Sequence, residues 1–509
     1  MSAAHRDLAP LSWPSPPLAL LGLGAALATL GGLSGCEQAC AGAGCEEEFG
    51  GALIGVLRGA DQPSSGESSP LTAFATIAGG KEQGPEADIA LLTDSAWVGT
   101  AADDAVRLHD LQEGGTQRPA DAVLSLSGVV SGDDFGATLG RVPDQDGDGL
   151  AELAVGAPRA DAGEEIRDDG TVYLYSALGD TPLAGGDTPS LTVLGGTGGA
   201  RFGSEIEGCG DLDGDGVGDW AASSPLYSSS DANFRGLVFL GASADRPASG
   251  AEVTLDESGL SWIGEERGDR AGDALACAHD LLGPEGGEAD GYADLVVGAP
   301  FATGEQGEAA GRVYVLPGGP TLASGALVDA AELVLEGVSQ DAWMGWAVAT
   351  GDLNGDGQAD LVAGAPGVAP SSGAEARGQV AVWDGADLRG GTRARVKGTS
   401  EGDAFGRAVV IADTSGDGLG ELLVGAPHRD PTGDLGDAHE AGTLYFFFCP
   451  EDWQGWTQTM TTTDARLRLD ASEPYLRTGQ RVRVGDVDAD GRADIALVQR
   501  YDPDQGIPE

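Results

Sequence analysis

Residues 352–366 read DLNGDGQADLVAGAP, an acidic, glycine-rich loop followed by a short apolar run and a Gly-Ala-Pro turn. Loops of the same type recur along the chain and begin at Asp144, Asp211, Asp280, Asp352, Asp413 and Asp486, 61 to 73 residues apart. This period is too long for one turn of a solenoid and is long enough for four short strands with their connections. Each repeat is therefore predicted to form one four-stranded sheet.

The repeat that contains Asp211 shows the expected strand order. Residues 204–210 and 220–223 flank the acidic loop as strands A and B, and residues 236–240 form strand C before a last apolar segment, strand D. Short apolar runs between clusters of turn residues are typical of strands that follow one another as a meander.

The composition agrees with an all-β chain and argues against several classes of partner. The 509 residues include 85 glycines, and 82 acidic residues against 28 lysines and arginines give a formal net charge of -54. Apolar stretches with a helical period are nearly absent after residue 50, which argues against long helices. The strongly negative charge argues against binding to nucleic acid and to anionic membrane surfaces.

Two short motifs accompany the acidic loops. Phe-Gly pairs, or weaker copies of them, precede strand A at residues 135–136, 202–203, 344–345, 405–406 and 478–479, and Gly-Ala-Pro ends strand B at residues 156–158, 298–300, 364–366 and 425–427. This combination resembles the FG-GAP repeats of integrin α-chain β-propellers and extends over residues 50–498. The resemblance implies a ring of blades in which each sheet packs on its neighbours.

A seventh repeat is visible in degenerate form. Residues 74–92 resemble strands A and B joined by a loop, residues 80–86, that lacks the acidic side chains. The fold is therefore predicted to be a seven-bladed β-propeller of four-stranded antiparallel blades. The chain ends soon after strand B of the last repeat, so residues 51–58 are predicted to pair with residues 493–498 as the missing strand C and to close the ring. The alternative is that residues 51–58 belong to a mobile tether.

The acidic loops have the spacing of calcium-binding hairpin loops. In the loop that begins at Asp352, oxygens at positions 1, 3, 5 and 9 converge if the chain turns sharply at Gly357, and the carbonyl of Gln358 adds a fifth ligand. Several carboxylates and other oxygen donors favour Ca²⁺ over Zn²⁺, soft metals and Mg²⁺. Four strong sites are predicted: Asp144, Asp146, Asp148 and Glu152; Asp211, Asp213, Asp215 and Asp219; Asp352, Asn354, Asp356 and Asp360; and Asp486, Asp488, Asp490 and Asp494.

Two further loops are predicted to be weaker sites. One has Asp413, Ser415, Asp417 and Glu421, and the other has Asp280, Asp290 and Asp294 around a Gly-Pro-Glu-Gly-Gly-Glu insertion. The alternative is that Asp-Gly sequences only make turns, but clustered carboxylates without a counter-ion would then repel one another. Because all the ligands come from protein, calcium is predicted to be a structural clamp and not a catalyst.

The amino terminus has the features of a targeting segment. An apolar run over residues 18–33 leads to Leu33-Ser34-Gly35-Cys36, which resembles the lipobox of bacterial lipoproteins. The resemblance implies cleavage before Cys36, lipidation of its thiol, and a membrane-anchored lipoprotein of the bacterial cell envelope, on the outer membrane or the cell surface. The alternative is an uncleaved membrane anchor, for which the run is short. The predicted domains are a signal peptide (1–35), an acylated tether (36–50), the propeller (51–498) and a tail (499–509).

The remaining cysteines divide into two groups. Cys40 and Cys45 are close enough in sequence to pair in an oxidising envelope. Cys209 and Cys277 occupy similar places in two repeats and are predicted to be buried as small apolar side chains.

No catalytic or cofactor-binding constellation stands out, and the chain is predicted not to be an enzyme. None of the histidines, which are His5, His109, His279, His428 and His439, recurs beside a serine or cysteine in a nucleophile pattern. His279 is predicted to pack in strand A, and His428 to lie in an exposed loop, with a contact site as the alternative. The strand C aromatics Tyr173, Tyr314, Trp383 and Tyr445 are predicted to be core or sheet-surface residues and not sugar platforms.

Meander topology predicts where a ligand binds. The A–B loops share one face with the C–D loops, and the B–C and D–A loops form the opposite face, which integrin-like propellers use. Its polar loops here are residues 159–169, 226–235, 301–310, 367–377 and 428–441. The predicted function is a calcium-stabilised, lipid-anchored binding or adhesion module with a protein or glycan ligand on that face. The alternatives are a catalytic or non-catalytic subunit of a surface hydrolase and a purely structural envelope scaffold.

Overall fold

The computed structural model describes residues 19–22, 52–58, 72–78, 89–92, 97–102, 105–110, 115–117, 124–128, 130, 132–145, 149–161, 167–176, 188–229, 233–241, 250–282, 290–371, 373–430, 440–449, 453, 456, 458–471, 476–486 and 490–500. The helices among these residues are short: Leu255–Ser258 and Leu327–Ala330 are α-helical, and Gly385–Gly390, which is interrupted at Asp387, and Thr462–Asp464 are 3-10 helical. No helix in this part of the chain has the length and apolar character needed to cross a membrane. The predicted all-β class is confirmed.

The described strands form seven sheets, numbered in chain order, and each contains four antiparallel strands in the meander order A, B, C and D. Sheet 1 consists of Ile89–Leu92, Trp97–Ala102, Ala105–Asp110 and Leu124–Ser127. Sheet 2 consists of Thr138–Val142, Glu152–Ala157, Thr171–Tyr175 and Leu191–Leu194. Sheet 3 consists of Ile206–Gly208, Trp220–Ser224, Leu237–Gly241 and Gly259–Ile263.

The other sheets repeat this plan. Sheet 4 consists of Ala274–Ala278, Asp294–Ala299, Arg312–Leu316 and Leu333–Glu336. Sheet 5 consists of Ala347–Gly351, Asp360–Ala365, Gln379–Trp383 and Ala394–Lys397. Sheet 6 consists of Val409–Ala412, Glu421–Ala426, Thr443–Phe448 and Leu467–Asp470. Sheet 7 consists of Arg481–Gly485, Asp494–Arg500, Ala52–Arg58 and Thr72–Ala78.

Five sheets gain a short parallel strand beside strand D. The added strands are Ala251–Thr254 on sheet 2, Gly325–Ala326 on sheet 3, Thr459–Thr461 on sheet 5, Ala19–Gly22 on sheet 6 and Gly115–Gln117 on sheet 7. All but Ala19–Gly22 come from the C–D connection of another sheet. These strands cover edges that would otherwise expose unpaired backbone groups, and they tie one sheet to another.

The predicted pairing between the two ends of the chain is confirmed. Strand Ala52–Arg58 lies antiparallel to Asp494–Arg500, with Ile54 opposite Val498. On its other side Ala52–Arg58 pairs with Thr72–Ala78, so the amino-terminal strands supply strands C and D of sheet 7.

The degenerate repeat predicted over residues 74–92 is wrong. Strand Thr72–Ala78 does not pair with Ile89–Leu92; it is strand D of sheet 7, whereas Ile89–Leu92 is strand A of sheet 1 and pairs with Trp97–Ala102. The apolar patterns identified both segments as strands. They could not identify the partners, because pairing in a sheet depends on contacts distant in sequence.

Glycines of the two short motifs set the distance between sheets. The N–H of Gly345 donates to the carbonyl of Gly364 in its own sheet, at 3.1 Å. A Cβ on Gly364 would overlap the carbonyl oxygen of Gly406, which belongs to the next sheet. The same close approach joins Gly156 to Gly203, Gly298 to Gly345, and Gly425 to Gly479. The Gly-Ala-Pro glycine is therefore required because another backbone occupies the space of its side chain.

Large side chains of the repeats fill the space within and between sheets. Phe202 and Phe405 of the Phe-Gly pairs are completely buried. Of the strand C aromatics, Tyr314, Trp383 and Tyr445 are buried, as predicted for core residues. Ala271-Gly272 takes the Phe-Gly position of sheet 4, since Ala271 is buried and forms a bridge to Gly236, and the sequence pattern missed this copy because alanine replaces the aromatic residue.

Two predictions about single residues are wrong. Cys209 and Cys277 form a disulfide, with their Cα atoms 5.2 Å apart, and are not independent apolar side chains. Cys209 directly follows strand A of sheet 3 and Cys277 lies near the end of strand A of sheet 4, so the packing of these adjacent sheets brings them together. His279 is exposed and does not pack in the core. Cys36, Cys40 and Cys45 lie outside the described residues.

Candidate metal centres

The acidic loops lie at one end of the sheets. Each connects strand A to strand B in sheets 2 to 7. Because consecutive strands are antiparallel, these loops share an end with the C–D connections, and the B–C and D–A connections lie at the other end.

The loop over residues 211–219 is completely described. Asp211 accepts hydrogen bonds from the backbone N–H of Gly214 at 2.8 Å and of Gly216 at 3.0 Å. Gly216 has a φ of 88°, which confirms the sharp turn predicted for position 6. The loop curls around the Asp211 carboxylate.

Three carboxylates of this loop converge. Asp211, Asp213 and Asp215 each place an oxygen within 4.8 Å of the others. Burial raises the pKa of Asp213, and the charges of Asp215 and Asp211 raise it further. The loop therefore concentrates negative charge at a point where a cation would relieve it.

Asp219 at position 9 is fully buried below this cluster. One oxygen accepts hydrogen bonds from the N–H of Leu212 at 2.8 Å and of Asp213 at 3.0 Å. The other oxygen, Oδ1, has no hydrogen-bond partner among the described residues. Burial raises the pKa of this carboxyl to about 7. A buried carboxylate oxygen without a partner is costly unless a cation binds it, so the donor set fits a metal ion.

The loop over residues 352–360 repeats this geometry. Asp352 accepts hydrogen bonds from Gly355 at 2.6 Å and Gly357 at 2.8 Å, and Asp360 accepts one from Leu353 at 2.9 Å. The second oxygen of Asp360 accepts a bond from Gly385 in the C–D connection, at 2.8 Å. Burial again raises the pKa of Asp360 to about 7.

The loop over residues 413–421 was predicted to be weaker because Ser415 replaces a carboxylate. Asp413, Asp417 and Glu421 nevertheless place oxygens within 4.8 Å of one another. Glu421 is buried, accepts a hydrogen bond from the N–H of Thr414 at 2.7 Å, and has a pKa raised to about 7 by burial. Ser415 instead donates to Asp413 at 3.5 Å.

The long loop over residues 280–294 keeps the same frame despite its insertion. Asp280 accepts a hydrogen bond from Gly291 at 2.6 Å, and Asp294 accepts one from Leu282 at 2.7 Å. Asp290 accepts one from Tyr292 at 3.1 Å, as the position 5 residue does in the other loops. The three predicted ligands of this weak site thus occupy positions 1, 5 and 9.

The remaining two loops are described in part. Asp144 accepts a hydrogen bond from Gly149 at 2.8 Å, and Glu152 accepts one from Gln145 at 2.8 Å. Asp486 accepts one from Gly491 at 2.8 Å. Asp490 is described as well, and Asp494 is buried. Asp146, Asp148 and Asp488 lie outside the described residues.

Neighbouring loops are joined through their backbones. The N–H at position 8 of one loop donates to the carbonyl at position 1 of the preceding loop: Ala293 to Asp211 at 2.9 Å, Gly420 to Asp352 at 2.8 Å, and Ala493 to Asp413 at 2.7 Å. The Cys209–Cys277 disulfide links the starts of two such loops. Binding of a cation in one loop would therefore stabilise the adjacent sheet as well as the hairpin that contains the loop.

The sequence identified the carboxylates of the loops but not the groups that hold them. It did not identify the backbone amides that hold each position 9 carboxylate or the contact of Asp360 with Gly385. The same contact occurs in sheet 4, where Gly318 follows strand C and donates to Asp294 at 2.9 Å. The recurrence of a glycine after strand C was the sequence signal that could have indicated this contact.

Comparison with known proteins supports the repeat assignment. A family model described as the FG-GAP repeat matches residues 135–175, 289–316, 344–383 and 405–447. Integrin alpha-PS2 of Drosophila melanogaster is 28% identical over 172 residues, which are 33% of this chain and 11% of that protein. Integrin alpha-5 of Xenopus laevis is 35% identical over 159 residues, 31% of this chain and 14% of that protein.

An enzyme is also among the similar proteins. Phosphatidylinositol-glycan-specific phospholipase D of Rattus norvegicus is 28% identical over 172 residues, 32% of this chain and 19% of that protein. The solved structure of BBS1N in complex with ARL6DN superposes with a TM-score of 0.40 and 9% identity over 88% of this chain and 98% of that chain, a likeness too weak to bear on the fold. The matches to these curated relatives span less than a fifth of each relative's length. The chain carries FG-GAP repeats and is similar to integrin alpha chains along about a third of its length.

Proposed function

We propose that this chain is a calcium-stabilised, lipid-anchored binding or adhesion module of the integrin-alpha-like propeller type. The observation that carries the proposal is the set of A–B loops with a shared, convergent carboxylate geometry on an FG-GAP scaffold. These loops occupy one end of the sheets and leave the B–C and D–A loops at the other end for a ligand.

The sheets are proposed to form a closed ring of seven blades. Seven described sheets, the glycine contacts between successive sheets and the pairing of Ala52–Arg58 with Asp494–Arg500 support closure. A protein that begins at Ser69 lacks strand C of sheet 7 and should melt lower or aggregate compared with one that begins at Glu46. Equal melting and equal solubility of the two would contradict ring closure.

Calcium is proposed to clamp the A–B loops. The uncompensated Oδ1 atom of Asp219 and the raised pKa values of the position 9 carboxyl groups support a cation. Chelation should lower the melting temperature, since a ligand that binds only the native state stabilises it. Asp356→Ala should remove about one bound ion per chain, whereas the same count in the variant and the parent protein would refute this site.

The ligand of the opposite face is proposed to be a protein or a glycan. Similarity to integrin alpha chains and the lack of a recognised catalytic constellation in the sequence favour binding over turnover. The test is an array of glycans and matrix proteins probed with the mature chain, with and without calcium. Calcium-dependent capture supports a binding module; no capture in either condition favours a structural scaffold.

A second candidate is a subunit of a surface hydrolase. The similarity to phosphatidylinositol-glycan-specific phospholipase D is the observation that favours it. Turnover of a glycosylated phospholipid or of a glycan by the purified chain would replace the binding proposal with this one.

Anchoring at the bacterial envelope is proposed through Cys36. The lipobox-like sequence supports it, and Cys36→Ser should release the protein from membranes into the soluble fraction because the attached acyl chains are lost. Unchanged membrane association together with an intact amino terminus at Met1 would favour an uncleaved anchor.

A further inference from the structure

A cavity of about 460 Å³ lies at the end of the sheets opposite to the acidic loops. Its wall is formed where the A strands of sheets 3 to 7 begin, and the B–C connections contribute Pro158 and Pro225. Small residues such as Ala274, Ala347 and Ala408 also line the cavity. The cavity thus opens on the face proposed to bind a ligand.

Arginines dominate the charge of this cavity. The charged residues in its wall are Arg201, Arg270, Arg407, Arg481, Arg483, Glu205 and Asp273. Five of the chain's 28 basic residues therefore meet in one cavity, in a protein with 82 acidic residues. Positive charge outnumbers negative charge here although the chain as a whole is strongly acidic, so the cavity attracts anions.

Arg407 is held in place by stacking on an aromatic ring. Its guanidinium carbon lies 4.1 Å from the centre of the Trp346 ring, and it forms no ion pair among the residues that the structure describes. Burial and the nearby charge of Arg477 lower its pKa, and the charge of Asp273 opposes this shift. A partly buried guanidinium that stacks on an aromatic ring keeps its N–H donors free for an oxyanion.

Arg270 is positioned in a similar way. Its guanidinium carbon lies 5.1 Å from the ring centre of Phe301, and Nη2 contacts Asp273 at 2.9 Å. Its Nε is buried and has no hydrogen-bond partner among the described residues. The rings of Phe301 and Trp346 are 5.9 Å apart, so one aromatic pair supports both arginines.

Two other arginines of the wall contact protein groups. Arg483 is 3.9 Å from Glu205, and Arg481 donates to the carbonyl of Ala137 at 3.3 Å. In the part of the chain that the structure covers, Arg201 has no ion pair.

We propose that this cavity binds a compact dianion, either free or as the terminal group of a larger ligand. Guanidinium groups bind carboxylate and sulfate oxygens through paired N–H donors, and a dianion would engage Arg407 and Arg270 together. The proposal rests on the proposed function, because it takes the face of the B–C and D–A loops as the ligand face, and it names the ligand's charge and size.

The test is a calorimetric titration of the calcium-loaded mature chain with succinate or sulfate, at constant ionic strength with chloride as the balancing anion. Saturable binding is expected. Arg407→Gln should weaken it by about tenfold to a hundredfold, the range expected for the loss of charge-assisted hydrogen bonds. The matched control is Arg389→Gln, since Arg389 pairs with Glu332 at 2.7 Å and is not part of the cavity wall; its affinity should be unchanged.

A second variant is expected to strengthen anion binding. Asp273→Asn removes a carboxylate that competes for Arg270, so it should tighten binding of either probe by about threefold or more. It keeps the proposal testable if Arg407→Gln does not fold. An absence of saturable binding, an equal loss in Arg389→Gln, or weaker binding in Asp273→Asn would overturn the proposal.

The array and the titration together distinguish the source of the anion, and they test the proposed function separately from the anion site. Capture of acidic array ligands that is lost in Arg407→Gln identifies the anion as part of a larger ligand. Binding of succinate or sulfate without any array capture identifies a free anion, and in that case the adhesion proposal fails while the anion site stands.

Discussion

Replacing Asp219 by asparagine should stabilise the metal-free protein more than the calcium-loaded protein. Asp219 is fully buried, and its Oδ2 accepts two backbone N–H groups while Oδ1 has no partner among the described residues. An asparagine keeps an oxygen for the two N–H groups and places an uncharged amide where Oδ1 lies. The substitution therefore removes the buried charge and retains the turn.

The size of the effect follows from the pKa of the carboxyl group, which burial raises from 3.8 to about 7. Holding this group ionised in the metal-free folded chain above pH 7 costs about 4 kcal/mol at most, at 1.36 kcal/mol per pKa unit. Asp219→Asn should therefore stabilise the metal-free chain by up to this amount. In excess calcium the variant lacks the stabilisation from one site, about 2.7 kcal/mol at a hundredfold excess over Kd, so its advantage over the parent chain should shrink by about that amount.

The assay is thermal or urea unfolding at pH 8, with calcium and with a chelator, together with a count of bound calcium by equilibrium dialysis. The control is Asp329→Asn, an exposed aspartate outside the loops, which should change neither stability nor the count. If Asp219→Asn destabilises the metal-free and the calcium-loaded chain equally and leaves the count unchanged, the loops are turns held by hydrogen bonds and not calcium sites.

Three further predictions concern the disulfide, the packing of sheets and pH. Cys277→Ser should lower the free energy of unfolding by about 4 kcal/mol under oxidising conditions and leave it unchanged under reducing conditions, because Cys209 and Cys277 close a loop of 68 residues; equal loss in both conditions would point to packing instead. Gly364→Ala should cost more than about 2 kcal/mol in urea unfolding, since its Cβ meets the backbone of Gly406, and a neutral result would contradict the close approach. In calcium-free buffer the parent chain should lose stability relative to Asp360→Asn as pH rises from about 4 to about 7. Burial raises the folded pKa of Asp360 to about 7, so in this range the folded chain retains a proton that the unfolded chain has released. The same pH dependence of unfolding in both proteins would refute this prediction.

Local features were predictable because they depend on few neighbouring residues. The loop over residues 352–360 carries its predicted ligands, its turn glycine and its flanking strands within a short stretch, and the structure shows that Gly355 and Gly357 fold around Asp352 as the spacing predicts. The same holds for the strand order within a repeat.

Partners distant in sequence were predictable only in part. Residues 51–58 were assigned correctly to the last sheet because the missing strand C left one place for them. Thr72–Ala78 was assigned wrongly, since an apolar strand next to a turn fits either of two sheets.

The repeats, the all-β class, the strand order and the carboxylate positions of the loops could be predicted from the sequence, because each of these depends on patterns within one repeat. The Cys209–Cys277 disulfide, the strands that cross from one sheet to another and the arginine-lined cavity depend on how the sheets pack in three dimensions. Arg270 and Arg407 come from repeats far apart in the chain and share one aromatic pair only after the sheets have packed. Residues that meet only when separate repeats assemble leave no pattern in any single repeat.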